Sequence, residues 1–225
     1  MDAIVEMTGH QGLALCGNGA VVLNMATNEV VSSRGLSPED VLETASRLRR
    51  HIPGITFALE TLNGYRREAE YLPLHQAALE ADTGSLEDLL TDRPTVIKLL
   101  CRQSRPHYGT LDSDGLLAIA RTQLAGLVEV VHSDPMNFML EVSAPGVNKA
   151  SALAWLADSL DVAAADVVAF GDMPNDVPML AWAGAGYAMS GGHPEAIAAA
   201  PFQAPPCAED GVAQVLERLL ARAAG

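Results

Sequence analysis

One stretch limits the architecture of this chain more than any other. The apolar run Val167-Val168-Ala169-Phe170 breaks directly into Gly171-Asp172-Met173-Pro174-Asn175-Asp176 and then continues as a segment of helical period, Val177 to Ala183. A short apolar strand that passes through a tight turn into a helix is the building unit of a parallel sheet covered by helices. The surrounding sequence keeps the same rhythm. After Pro145-Gly146 it predicts a helix over Ala150 to Leu160, the strand Val167 to Phe170, the helix from Val177, a strand Gly186 to Met189 and a last helix over Val212 to Ala223. Pro201 to Pro206 reads as a loop.

The first part of the chain has a different texture. Asp2 to Met7 has helical character, Leu13 to Cys16 reads as a short strand ending at Gly17-Asn18-Gly19, and Val21 to Val31 reads as a hairpin. Pro38 follows Ser37 at a helix start, and Val41, Leu42, Ala45 and Leu48 recur at helical spacing until Pro53-Gly54. Strand-like runs then follow at Ile55 to Leu59, Thr95 to Cys101, Leu127 to His132 and Asn137 to Val142, with a helix over Gly115 to Leu124. The expected organisation is an α/β core formed by 1–33 and 145–225, enclosing an α+β insert at 34–144.

The turn after Phe170 carries the chemistry. Ligands in open α/β sheets bind at the carboxyl ends of strands. A hard cation such as Mg²⁺ takes oxygen ligands, commonly one or two carboxylates with water and substrate phosphate, and Asp172 with Asp176 can supply them. The plainer alternative makes Asp176 a cap for the next helix, with Pro178 in its first turn. A second signal is Gly146-Val147-Asn148-Lys149, where a lysine opens a helix at the positive end of its macrodipole. A bound anion would relieve that placement, although an exposed lysine without a ligand fits it as well.

Net charge narrows the partners. With 14 Lys and Arg against 28 Asp and Glu, the formal charge is −14. Such a surface does not gather nucleic-acid phosphates and is repelled by anionic membranes. Nothing approaches the roughly 20 apolar residues of a membrane span, and Cys16, Cys101 and Cys207 lack the paired spacing of a zinc site or disulfide framework. A soluble, cytoplasmic protein is expected. Among other residues, His107, His132 and Asn137 are minor candidates to face a substrate, Trp155 and Trp182 are expected in the core, and Arg47, Arg49 and Arg50 on a solvated face.

Taken in order, the two signals resemble a family. Gly146-Val147-Asn148-Lys149 precedes Gly171-Asp172-x-x-Asn175-Asp176, Met179-Leu180 and Gly186-Tyr187-Ala188-Met189. This is similar to the third and fourth motifs of the Cof-like phosphatases of the haloacid dehalogenase superfamily, which carry a type IIB cap. Asn18-Gly19-Ala20, Glu195-Ala196 and Glu209-Asp210-Gly211-Val212 extend the resemblance over nearly the whole chain. It implies a Rossmannoid parallel sheet with an inserted α+β cap and Mg²⁺-dependent hydrolysis of a small phosphorylated metabolite such as a sugar phosphate. By the same resemblance Lys149 is catalytic, Asp172 and Asp176 hold Mg²⁺, and Asn175 and Asn18 touch substrate or support the site.

The resemblance also sets up an expected gap. The family's Asp nucleophile sits in an Asp-x-Asp-Gly-Thr turn upstream of the Asn-Gly-Ala segment, and here only 17 residues precede Asn18. The expectation is that the chain as written has no nucleophile and lacks the first core strand, with Met1 an internal methionine of a longer frame. The alternative is an inactive binding or regulatory relative. Asp112-Ser113-Asp114-Gly115 has similar letters, yet Asp112 reads as a helix cap. Thr8-Gly9 lies too close to Asn18 to stand for the phosphate-binding threonine.

Overall fold

The computed structural model describes residues 9, 12–74 and 79–223. The expected helix over Asp2 to Met7, and Thr8, lie outside the described residues. The chain divides into two compact units, Met1–Asn148 and Lys149–Gly225.

The first unit opens with an antiparallel sheet of β1 (Leu13–Cys16), β2 (Val21–Asn24) and β3 (Glu29–Ser33). Between β1 and β2 the chain turns through Gly17-Asn18-Gly19, with Asn18 left-handed at φ 55, a conformation that asparagine tolerates better than most residues. Helix α1 (Pro38–His51) starts where expected: Ser37 Oγ accepts from Asp40 N at 3.0 Å, and Pro38 occupies the first turn. Glu39 and Asp40 sit at its N-terminal end and Arg49, Arg50 and His51 at the other, an arrangement that suits the helix dipole.

Next in order come β4 (Ile55–Thr61), β5 (Gly64–Arg67), β6 (Asp82–Thr83), α2 (Leu86–Leu89), β7 (Val96–Gln103), α3 (Ser113–Leu124), β8 (Glu129–Val131) and β9 (Met139–Ser143). The strands form one sheet in the order β6-β5-β4-β7-β9-β8. Alternation gives the sheet two unlike faces. Phe57, Leu59, Leu99, Cys101, Leu140 and Val142 point into one core with Val41 and Leu48 of α1 and Leu116 and Leu124 of α3. Each fully buried Leu or Phe there stabilises by about 1.5–3 kcal/mol. The opposite face carries Ala58 and Leu100, which cluster with Tyr71, and the polar side chains of Glu60, Lys98, Arg102 and Glu141. Asp112 caps α3, accepting from Gly115 N at 2.8 Å, as its sequence context predicts.

The second unit alternates α4 (Lys149–Ser159), β10 (Val168–Gly171), α5 (Val177–Trp182), β11 (Ala185–Met189), α6 (Pro194–Ala199), β12 (Phe202–Ala204) and α7 (Gly211–Ala223). Its strands are parallel in the order β10-β11-β12, the mixed α/β class that the sequence predicts. Two details differ from expectation. The presumed loop at 201–206 contains β12, a strand too short to show periodicity; Phe202 stacks on Tyr187 at 5.2 Å and Tyr187 on Phe170 at 5.3 Å, an aromatic ladder across the three strands. Trp155, expected in the core, is 45% exposed: it lies on the solvent side of α4, whose apolar residues are spread around the helix rather than gathered on one face.

Candidate active site

The site grows out of the end of β10. After Gly171 the chain enters a single 3₁₀ turn, Pro174–Asp176, before α5 begins. Asp176 is only 4% exposed, and its carboxylate folds back over the turn it has just left. Oδ2 accepts from the amides of Asp172 (2.9 Å) and Met173 (3.0 Å), while Oδ1 accepts from Lys149 Nζ at the start of α4. Gly171 is required by that fold-back, because a Cβ there would lie 2.4 Å from Asp176 Cβ. The plain cap reading of Asp176 does not describe this geometry: it precedes α5, yet its side chain makes no cap bond to that helix.

Asp172 is placed differently. Its backbone carbonyl accepts from His193 N at 2.7 Å, which ties the turn after β10 to the loop after β11. Its half-buried carboxylate makes no hydrogen bond or ion pair among the described residues. Asn175 is buried inside the 3₁₀ turn. Three donors therefore hold one carboxylate of the turn in place, and the other is left available for an external cation. The Lys149 side chain is one-third exposed and its ammonium has three donor hydrogens, so one can hold Asp176 while others serve an anion. The misplacement of a lysine at the start of a helix is thus relieved by Asp176.

The structure brings together Lys149, Asp172, Asn175 and Asp176 in the second unit. Asn18 belongs to the first unit, where its side-chain amide donates to Glu141 Oε2 at 2.9 Å. The same carboxylate takes Lys98 Nζ at 2.8 Å and the hydroxyl of Ser133, and Lys98 also lies 3.8 Å from Glu60. Burial pushes the Glu141 carboxyl upward, but the Lys98 charge and the three donors outweigh it and hold the group below the usual carboxylate range. Lys98 is the mirror case: burial pushes it down, and Glu141 and Glu60 together raise it.

Of the minor candidates, His132 is fully buried and bonded through Nε2 to Asp114 at 2.8 Å. His107 packs against Gly54, and Asn137 ends the short turn Pro135–Asn137. Sequence reasoning did not single out Gly171 or His193 as site-forming residues. A glycine between an apolar strand and an acidic turn was the only available signal, and the contact of His193 is made through the backbone, which leaves no trace in residue type.

The sequence profile of the haloacid dehalogenase-like hydrolases matches residues 1–216. The chain belongs to this family. Within the haloacid dehalogenase superfamily it is a Cof-like hydrolase. YxeH of Bacillus subtilis is 28% identical over 212 residues, 90% of this chain and 74% of that protein. A shorter match is to the 5-amino-6-(5-phospho-D-ribitylamino)uracil phosphatase YcsE of the same organism, 37% identical over 89 residues, 40% of this chain and 35% of YcsE. The fold is that of other haloacid dehalogenase proteins of known structure. The subclass IIB sugar phosphatase BT4131 superposes with a TM-score of 0.74 at 17% identity, covering 96% of this chain and 79% of its own. A haloacid dehalogenase-like hydrolase from Bacteroides thetaiotaomicron superposes with a TM-score of 0.67 at 26% identity, covering 96% and 79%. Among the described residues no helix is long and apolar enough to cross a membrane.

Proposed function

We propose that the turn after β10 is the cation-binding and phosphate-stabilising part of a Mg²⁺-dependent phosphatase that acts on a small phosphorylated metabolite, a sugar phosphate being the leading class. The observation that carries this reading is the division of labour between the two aspartates. Asp176 is held rigid by Lys149 and two backbone amides, and Asp172 keeps an unengaged carboxylate at the mouth of the same turn. Oxygen donors from carboxylates, with room for water and phosphate, fit the preference of Mg²⁺. When bound there, Mg²⁺ would neutralise negative charge on a transferring phosphoryl group.

The roles of the residues follow from their geometry. Asp172 would be the direct ligand, and Asp176 would orient Lys149 and complete the oxygen set. The remaining Nζ donors of Lys149 would bind phosphoryl oxygens, and they strengthen as charge develops on them. Asn175 would keep the turn in shape from within, and Asn18 retains a substrate-contacting or supporting role. The attacking carboxylate of an aspartyl-phosphate route is assigned to no residue of this chain.

Two measurements on the full chain test the reading. Mg²⁺ should raise the thermal unfolding midpoint in a saturable way, and Asp172→Ala should abolish that rise while leaving the metal-free midpoint within a degree or two. A Mg²⁺ response that persists undiminished in Asp172→Ala would sink the assignment of the turn. Hydrolysis of a panel of sugar phosphates, followed as release of inorganic phosphate, then separates a complete enzyme from a chain that only binds.

A further inference from the structure

Arg102 lies two residues beyond Leu100 near the end of β7, on the sheet face that α1 and α3 leave uncovered. It is 4% exposed. Its Nη1 donates to the carbonyl of Leu72 at 2.8 Å and its Nη2 to the hydroxyl of Tyr108 at 2.6 Å. Among the described residues its Nε–H has no hydrogen-bond partner and no carboxylate pairs with the guanidinium. Tyr71 nearby does not supply the missing charge. Burial, opposed only in part by Arg102 itself, pushes the Tyr71 phenol far above its ordinary range, and its hydroxyl turns to Met139 Sδ. A permanently charged group buried without a counter-ion is costly, and native structures rarely keep one without a use.

The unpaired donor is on the edge that matters. Nε–H and one Nη2–H lie parallel on the same side of the guanidinium, the fork that takes two oxygens of a carboxylate or phosphate at once. Here a neutral hydroxyl is bonded to Nη2, and among the described residues nothing claims Nε–H. That hydroxyl belongs to a residue able to leave. Tyr108 is 38% exposed, its ring makes an edge contact with Phe138 at 5.4 Å and lies 4.7 Å from the guanidinium, and its phenol can exchange Arg102 for water.

We propose that Arg102 is the receptor for an oxyanion, a carboxylate or phosphate group of a small molecule, and that Tyr108 is its displaceable cover. The ligand's two oxygens take Nε and Nη2, and the Tyr108 hydroxyl moves to solvent. This site is separate in sequence and chemistry from Lys149, Asp172 and Asp176, and it does not depend on the phosphatase reading.

The test uses the full chain carrying Lys149→Ala, so that an anion at Lys149 cannot be mistaken for one at Arg102. Inorganic phosphate and malonate are titrated at constant ionic strength, with the Arg102 Nε–H resonance followed by NMR and the affinity measured by calorimetry. The expected result is saturable binding of at least one anion with movement of that resonance, weakened roughly tenfold or more by Arg102→Lys, which keeps the charge but loses the fork. Adding Tyr108→Phe removes the competing hydroxyl and should tighten binding by roughly 3- to 10-fold. Binding of phosphate alone assigns the ligand a phosphate group, and binding of malonate alone a carboxylate. The proposal is overturned if neither anion binds saturably, or if Tyr108→Phe leaves the affinity unchanged or lowers it.

Discussion

Each unit of the molecule contains a lysine paired with a buried carboxylate, and the two pairs are built to opposite ends. In the first unit Glu141 has both oxygens occupied, by Lys98, Asn18 and Ser133, and all the partners converge on one face of a hydrogen-bonded sheet. In the second unit Asp176 is equally well held, but directly beside it the Asp172 carboxylate has no partner among the described residues, and the Lys149 side chain is twice as exposed as that of Lys98. The carboxylate of the first cluster is fully engaged by its neighbours, which suits a supporting role. The second leaves a negative oxygen and ammonium donors facing outward, as a site for a cation and a phosphate requires.

The largest effect should come from breaking the closed cluster. Glu141→Ala leaves the Lys98 ammonium buried with only Glu60, 3.8 Å away, and unfastens Asn18 and Ser133. Denaturant unfolding should show a loss of about 3–5 kcal/mol. The sharper form of the test replaces both partners, Lys98→Met with Glu141→Leu. If the pair is purely structural, the double variant should recover most of the loss, since apolar isosteres of a buried pair are often neutral or better. Equal loss in the single and double variants would show that the hydrogen bonds to Asn18 and Ser133, rather than the charges, carry the energy.

The next effect belongs to the open cluster and acts through the backbone. In Gly171→Ala the added methyl meets Asp176 at 2.4 Å, so the turn must shift, at a cost of about 1–3 kcal/mol. The Mg²⁺-dependent rise in unfolding midpoint should vanish with it, although no titratable group has been removed. A variant that keeps the Mg²⁺ response would mean that the fold-back of Asp176 is not needed for the metal.

Lys149→Met should be milder for stability. Asp176 keeps the amides of Asp172 and Met173, and Lys149 is partly exposed, so the loss should be about 1 kcal/mol or less by the same unfolding measurement. Both carboxylates are buried, but Lys149 is more exposed than Lys98 and Asp176 keeps two backbone amides, so the loss should be several-fold smaller than in Glu141→Ala.

Much of this was legible in the sequence, and the reasons differ by region. The 171–176 turn was readable because its distinctive residues and its local structure coincide: an apolar strand must stop, a proline and an acid mark the helix start, and the two aspartates stand four residues apart. Helix α1 was readable from Ser37, Pro38 and a clean apolar stripe. The Lys98–Glu141–Asn18 cluster was not, because its members are 123 residues apart at the extremes and meet only when β7 and β9 pair. The same holds for Arg102, whose meaning lies in what it fails to touch. Strands β5, β6 and β12 escaped because two to four residues cannot display a period, and Trp155 misled because a large aromatic on an alanine-rich helix looks like core wherever it points.

The smallest expected effect is the response of the closed cluster to acid. Glu141 titrates lower in the folded chain than its usual 4.5, so the folded state prefers the ionised form more strongly than the unfolded state does. Its contribution is fully present above about pH 4.5 and is lost as pH falls through the lowered folded value. Lys98, raised above its usual 10.5, has the opposite sign: its contribution is full below that value and disappears only as pH rises through the higher folded one. Between those limits neither group bends the curve. Unfolding free energy measured from pH 6 down to pH 3 should therefore fall less steeply in Glu141→Gln than in the parent chain, with the two profiles parallel above pH 5. An identical acid limb in both would mean that Glu141 titrates alike in the folded and unfolded chain and that other carboxylates govern acid unfolding.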